Sequence, residues 1–173
     1  MIEQMTKKHM KNYELITGIP KYGDLIFADR QEGIYRHFGI YAGNKTVIHF
    51  ADPDDELDSS KAIVHEIALN KFIDECNVYR IKFPNEYTET AYSEDETVNR
   101  AKAQIGKKGV DNAGYNILFN NCEHFAVWCK TGISTSMQSK RFIQAVVTGI
   151  GKGYTRDGIR GAIIDTILAI IKF

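Results

Sequence analysis

At 173 residues the chain is long enough for one domain with a real core and too short for two comfortable ones. Its 22 basic residues balance 22 acidic ones, which argues against the basic footprint of a nucleic-acid binder. One domain with appendages is therefore expected, with no nucleic-acid partner.

The opening stretch MIEQMTKKHMKNYELITG carries lysines but no apolar run ahead of a small-residue cleavage site, which speaks against secretion. Cys76, Cys122 and Cys129 match neither a disulfide framework nor a zinc ribbon, so a reducing compartment, most simply the cytoplasm, is expected. Residues 23–29 (GDLIFAD), 35–42 (YRHFGIYA) and 46–50 (TVIHF) are rich in β-branched and aromatic side chains and are bounded by Gly, Asp and Asn. They read as three strands, the last two forming a hairpin around Gly43, Asn44 and Lys45. The acidic stretch ADPDDELDSS follows, then two more strand candidates, IVHEIAL and NVYRIKF.

Beyond Pro84 the spacing becomes helical. Ser93 and Glu96 form an S-x-x-E cap, and Val98, Ala101 and Ile105 continue an apolar stripe to Gly106. A second helix is expected from Asn120 or Asn121 to Gly132, where KTG supplies a last-turn cation and a terminator. Strands first and helices after predict an α+β fold with an antiparallel sheet packed against helices.

The chemistry concentrates in NNCEHFAVWCKTG. An asparagine cap leaves backbone N–H groups and the positive end of the helix dipole near Cys122, which is expected to lower its thiol pKa. Phe125 and Cys129 share its helix face, so Cys129 reads as core. His124 points away from Cys122 and reads as structural, and Glu123 as a first-turn acid matched to the dipole.

A cysteine nucleophile needs a base, and the hairpin offers His37 and His49. A three-residue loop pairs 42 with 46, 39 with 49 and 37 with 51, which puts both histidines on one face as diagonal neighbours, with Gly39 leaving room for a ring. A two-residue loop shifts the pairing by one and separates them. In the first register His37 is the candidate general base and His49 the residue that orients it, while Tyr35 is a candidate oxyanion donor through its backbone or hydroxyl. Zinc held by His37, His49 and Cys122 fits by ligand type but lacks a compact ligand pair; His9 and His65 carry no signal.

GDLIF, YRHFGIYAG followed by VIHF, and NNCEHFAVWCKTG together resemble the lecithin:retinol acyltransferase-like proteins, a permuted branch of the NlpC-type, papain-like cysteine enzymes. The resemblance covers roughly residues 20–145. It implies a permuted papain-like fold with His37 as base, His49 as third triad member, Cys122 as nucleophile and Tyr35 at the oxyanion site. It also implies transfer of fatty acyl groups from phospholipid glycerol esters, through a thioester, to water, an amine or an alcohol, with no metal or organic cofactor. Phe38 stands where the animal enzymes often have tryptophan, on the side away from His37. The acidic insertion is not what a surface seeking anionic lipid would choose.

The expected layout is an N-terminal extension (1–19), a catalytic domain (20–145) and an apolar C-terminal helical segment (146–173). From Gly161 to Phe173 that segment makes about 20 Å of helix, short of the roughly 30 Å of a bilayer core, and it includes Asp165. It reads either as an interfacial helix making peripheral membrane contact, or as a helix packed into the protein or against a second copy in a homodimer. The expected activity is thiol acyltransfer or phospholipase A-type hydrolysis on a lipid or other acyl donor. The alternatives are an amidase or peptidase, or a non-catalytic module of the same fold.

Overall fold

The structure, a computed structural model, describes residues 13–33, 35–82, 91–110 and 121–133. Residues 134–173, with the whole C-terminal helical segment, lie outside the described residues, as does His9. Among the described residues six strands form one sheet: β1 (Tyr13–Leu15), β2 (Leu25–Arg30), β3 (Tyr35–Gly43), β4 (Thr46–Ala51), β5 (Ile63–Ala68) and β6 (Val78–Ile81). The spatial order is β1-β6-β2-β3-β4-β5, and every neighbouring pair is antiparallel. Helix α1 (Leu69–Ile73) follows β5, and α2 (Glu94–Lys102) and α3 (Cys122–Thr131) complete an α+β arrangement. β1 lies in the stretch expected to be an extension, yet it pairs with β6, Tyr13 opposite Ile81.

The central strands β2, β3 and β4 are buried on both faces, which explains why LIFA in β2 is continuously apolar instead of alternating. Leu25, Phe27, Phe38, Ile40 and Phe50 pack with Val98 of α2 and Phe125 of α3. On the other face Ile26, Ala28 and Val47 pack with Leu69 and Phe72 of α1. Ser93 caps α2 by accepting from the Glu96 N–H at 3.2 Å. Val98 and Ala101 are buried as expected, but Ile105 lies beyond the helix end and is 43% exposed. Among the described residues no helix is long and apolar enough to cross a membrane.

The β3–β4 hairpin reaches the expected register by an unexpected route. Gly43 pairs with Thr46 across a two-residue turn, Asn44–Lys45, with both residues at positive φ (49° and 58°). This is the twist that two-residue hairpin loops require. The register then shifts between Tyr41 and Gly43, so that Tyr41 faces Val47 and Gly39 faces His49. A two-residue loop was expected to separate the histidines; a bulge at Ala42 restores the count and keeps them on one face.

Gly39 makes room for something other than the His49 ring. A Cβ there would meet Val47 Cγ1 at 2.6 Å and Phe72 Cε2 at 3.0 Å. Phe72 in turn packs on both histidines, with ring centroids 5.4 Å from His37 and 5.9 Å from His49. Gly39→Ala is therefore expected to cost about 1–3 kcal/mol through overpacking, read as a lowered urea midpoint with an unchanged slope. An unchanged midpoint would mean that Phe72 yields freely.

Candidate active site

β3 and β4 supply two histidines that are almost fully buried, His37 at 2% and His49 at 3% exposure. His37 Nε2 lies 2.6 Å from His49 Nδ1, with the rings edge-on at 87°. These nitrogens face each other too closely for an ion to sit between them, which removes the geometry that zinc coordination by this pair would use.

The pair continues into a third ring. His65 stands directly opposite His49 on β5, with the two Nε2 atoms 2.9 Å apart. His65 Nδ1 is 3.1 Å from the Ile63 carbonyl oxygen. His65 carried no signal in the sequence, and here it extends the pair.

Glu56 is the second residue that the sequence did not single out. Its carboxylate takes a bidentate pair from Arg30, Nε to Oε1 at 2.9 Å and Nη2 to Oε2 at 3.0 Å. The Tyr35 hydroxyl donates to the same carboxylate. Arg30, 7% exposed, also donates to the Phe72 and Ile73 carbonyls at 2.8 and 3.0 Å, where a cation complements the C-terminal end of α1. Glu56 Oε2 thereby stands 3.5 Å from His37 Nε2. The acidic stretch is not simply solvated: Asp52, Asp55 and Asp58 accept from main-chain N–H groups of Asp54, Leu57 and Ser60 and shape the loop. A pocket of about 270 Å³ opens here, lined by Arg30, Tyr35, Glu56, Leu57 and Cys76 among others.

Cys122 begins α3 after an Asn121 cap, whose side chain accepts from the His124 N–H at 3.0 Å. Gly132 ends the helix in the left-handed region at φ 73°, as the KTG signal predicts. α3 packs against β3 and β4, which seats the sulphur against the main chain of β3 on either side of His37, at Arg36 and Phe38. Sγ lies 4.0 Å from the Arg36 carbonyl, and the Phe38 N–H is directed at it. Among the described residues the thiol makes no hydrogen bond to the His37 ring.

The electrostatics correct one expectation. Burial pushes the Cys122 thiol up to about 12, against the main-chain N–H groups of Phe38 and Glu123, which favour the thiolate. The helix start does act as expected, but at 8% exposure desolvation outweighs it. Burial likewise pushes His37 down to about 4, opposed by the nearby Glu56 charge, and burial holds His49 well below the ordinary histidine value. Burial raises the Glu56 carboxyl, but Arg30, His37 and Tyr35 together bring it below its usual value. At neutral pH the site therefore rests as a thiol and two uncharged imidazoles, His37 and His49, with one carboxylate paired to arginine.

Cys129 is fully buried in the core and burial raises its thiol, and all three cysteines are free. Phe38 packs on Phe27, on the sheet face opposite the one where His37 meets Phe72. The Tyr35 hydroxyl is taken by Glu56, so the donor it could offer an oxyanion is its main chain.

The family model described as lecithin retinol acyltransferase matches residues 19–135. The chain is 34% identical over 140 residues to the Homo sapiens phospholipase A and acyltransferase 1, covering 75% of this chain and 78% of that protein. The Mus musculus phospholipase A and acyltransferase 3 is 31% identical over 144 residues, covering 76% and 84%. The Rattus norvegicus lecithin retinol acyltransferase is 30% identical over 142 residues, covering 72% and 60%. The matched span takes in both histidine strands and the cysteine helix, and the chain belongs to the lecithin retinol acyltransferase family.

Proposed function

We propose that this chain is a cysteine-dependent lipid acyltransferase or phospholipase A-type hydrolase, with Cys122 as nucleophile, His37 as base and His49 as the ring that orients it. The observation that carries this reading is the 2.6 Å contact between the buried imidazoles of His37 on β3 and His49 on β4, with the Cys122 sulphur resting against the main chain of β3. The relatives' names, acyltransferase and phospholipase A, support a lipid acyl donor. Histidine strands ahead of a cysteine helix support the permuted papain-like fold, and three free thiols support a reducing compartment.

Because His37 Nε2 faces His49, Nδ1 is the nitrogen left to act. In the first step the Sγ–H proton passes to Nδ1 as sulphur bonds the acyl carbonyl carbon. Collapse of the tetrahedral intermediate breaks the acyl carbon–oxygen bond, and His37 returns the proton to the departing glycerol oxygen. This leaves a thioester and a lysophospholipid. Water, an amine or an alcohol then gives a proton to Nδ1 and attacks the thioester, and the thiolate leaving group recovers that proton from His37. Substrate entry has to bring the thiol to the ring, a contact that commonly tightens only in the bound complex. Tyr35 positions the Glu56 carboxylate through its hydroxyl, and an oxyanion role falls to its main chain.

The test is incubation of the full chain with mixed phosphatidylcholine and phosphatidylethanolamine vesicles, with fatty acid, lysophospholipid and N-acyl products followed by mass spectrometry. Stoichiometric lysophospholipid is the expected result. No lipid product, together with cleavage of peptide or isopeptide substrates, would overturn the lipid assignment.

A further inference from the structure

Beyond the triad, the hydrogen-bond chain runs to a fixed end. A carbonyl oxygen only accepts, so the 3.1 Å contact at Ile63 places a proton on His65 Nδ1. In the neutral ring Nε2 is then an acceptor, and the nitrogen 2.9 Å away, His49 Nε2, must donate to it. His49 Nδ1 becomes the acceptor in turn, and His37 Nε2 donates across 2.6 Å. The proton of His37 is thus held on Nε2 and its Nδ1 lone pair is left free.

A second feature agrees without depending on the first. Glu56 Oε2 lies 3.5 Å from His37 Nε2, and a carboxylate there favours a proton on that nitrogen. Arg30 holds Glu56 in place through two hydrogen bonds. The reverse chain would need both His65 nitrogens to donate, and it would leave His37 Nδ1 protonated and unable to accept from a thiol.

We propose that His65 is a positioning residue: anchored on the Ile63 carbonyl and acting through His49, it sets the tautomer in which His37 Nδ1 is the proton acceptor. The proposal rests on His37 being the base, and it can be read without turnover. Long-range proton–nitrogen NMR of the full chain with labelled histidines reports which nitrogen of each ring carries the proton. The expected pattern is Nδ1–H on His65 and Nε2–H on both His49 and His37.

His65→Leu removes the acceptor and is expected to shift His49 and His37 toward Nδ1–H and to lower kcat by about tenfold or more at unchanged KM. His65→Gln keeps a side-chain carbonyl for the His49 N–H, and is expected to restore both the Nε2–H pattern and most of kcat. Thermal midpoints separate these effects from loss of fold. A wild-type His49 protonated on Nδ1, or a folded His65→Leu chain with unchanged tautomers and kcat, would overturn the proposal. Turnover that survives His37→Ala while the tautomer pattern holds would instead overturn the catalytic reading and leave the chain of rings standing.

Discussion

Cys122→Ala is expected to abolish both turnover and covalent acylation while the fold survives. Intact-protein mass after brief exposure to phospholipid should show the native chain gaining one acyl group, and the variant gaining none. Removing the nucleophile of such a unit removes nearly all of its rate, with a loss of at least roughly 10³-fold expected. The side chain is small and lies at the start of α3, whose anchoring in the core comes from Phe125, Ala126 and Cys129, all fully buried. Near-UV circular dichroism of the variant should therefore match that of the native chain. An adduct of equal size on the variant would place the nucleophile elsewhere, and full turnover without any adduct would replace the two-step exchange with direct attack by water.

The second large effect is on pH. A base must be unprotonated to accept the thiol proton, and burial lowers His37 from 6.5 to about 4. The acid limb of kcat/KM, which reports the free enzyme, is therefore expected near 4, with a plateau through neutral pH. With the thiol pushed up to about 12, no rise is expected as pH passes the ordinary cysteine range. A limb near 6.5, or a rate that climbs between 8 and 9, would show that the working site is solvated and uses a preformed thiolate.

The same burial predicts acid sensitivity of the fold. Between about 4 and 6.5 the unfolded chain binds a proton at His37 that the folded chain does not. Stability therefore rises with pH across that window, is fully present above it and is lost as pH falls toward 4. His49, lowered in the same direction, adds to the loss. Denaturant midpoints measured from pH 4 to 7 should decline toward the acid end, and His37→Gln should flatten the slope.

Short-range chemistry made half of this site legible. The helix around Cys122 is punctuated by Asn121 and Gly132, and the structure bounds it there. The His37–His49 contact follows from a turn short enough to count, although the count came out right through a two-residue turn and a bulge. The thiol's electrostatics were misjudged because the cap is local whereas burial depends on what α3 lies against. Glu56 was passed over because an acidic loop looks solvated until Arg30, itself buried, is seen to hold it.

What the sequence determined by itself is strands β2 to β6, the start of α2, both ends of α3 and the pairing of β3 with β4, because caps and turns act over a few residues of chain; α1 between β5 and β6 breaks the expected order of strands first and helices after. What only the tertiary structure decided is the wider circuit of His65, Glu56 and Arg30 around His37. Residues 52–62 separate β4 from β5, and a connection of that length does not fix register. The face and position at which His65 meets His49 are set instead by packing of the whole sheet.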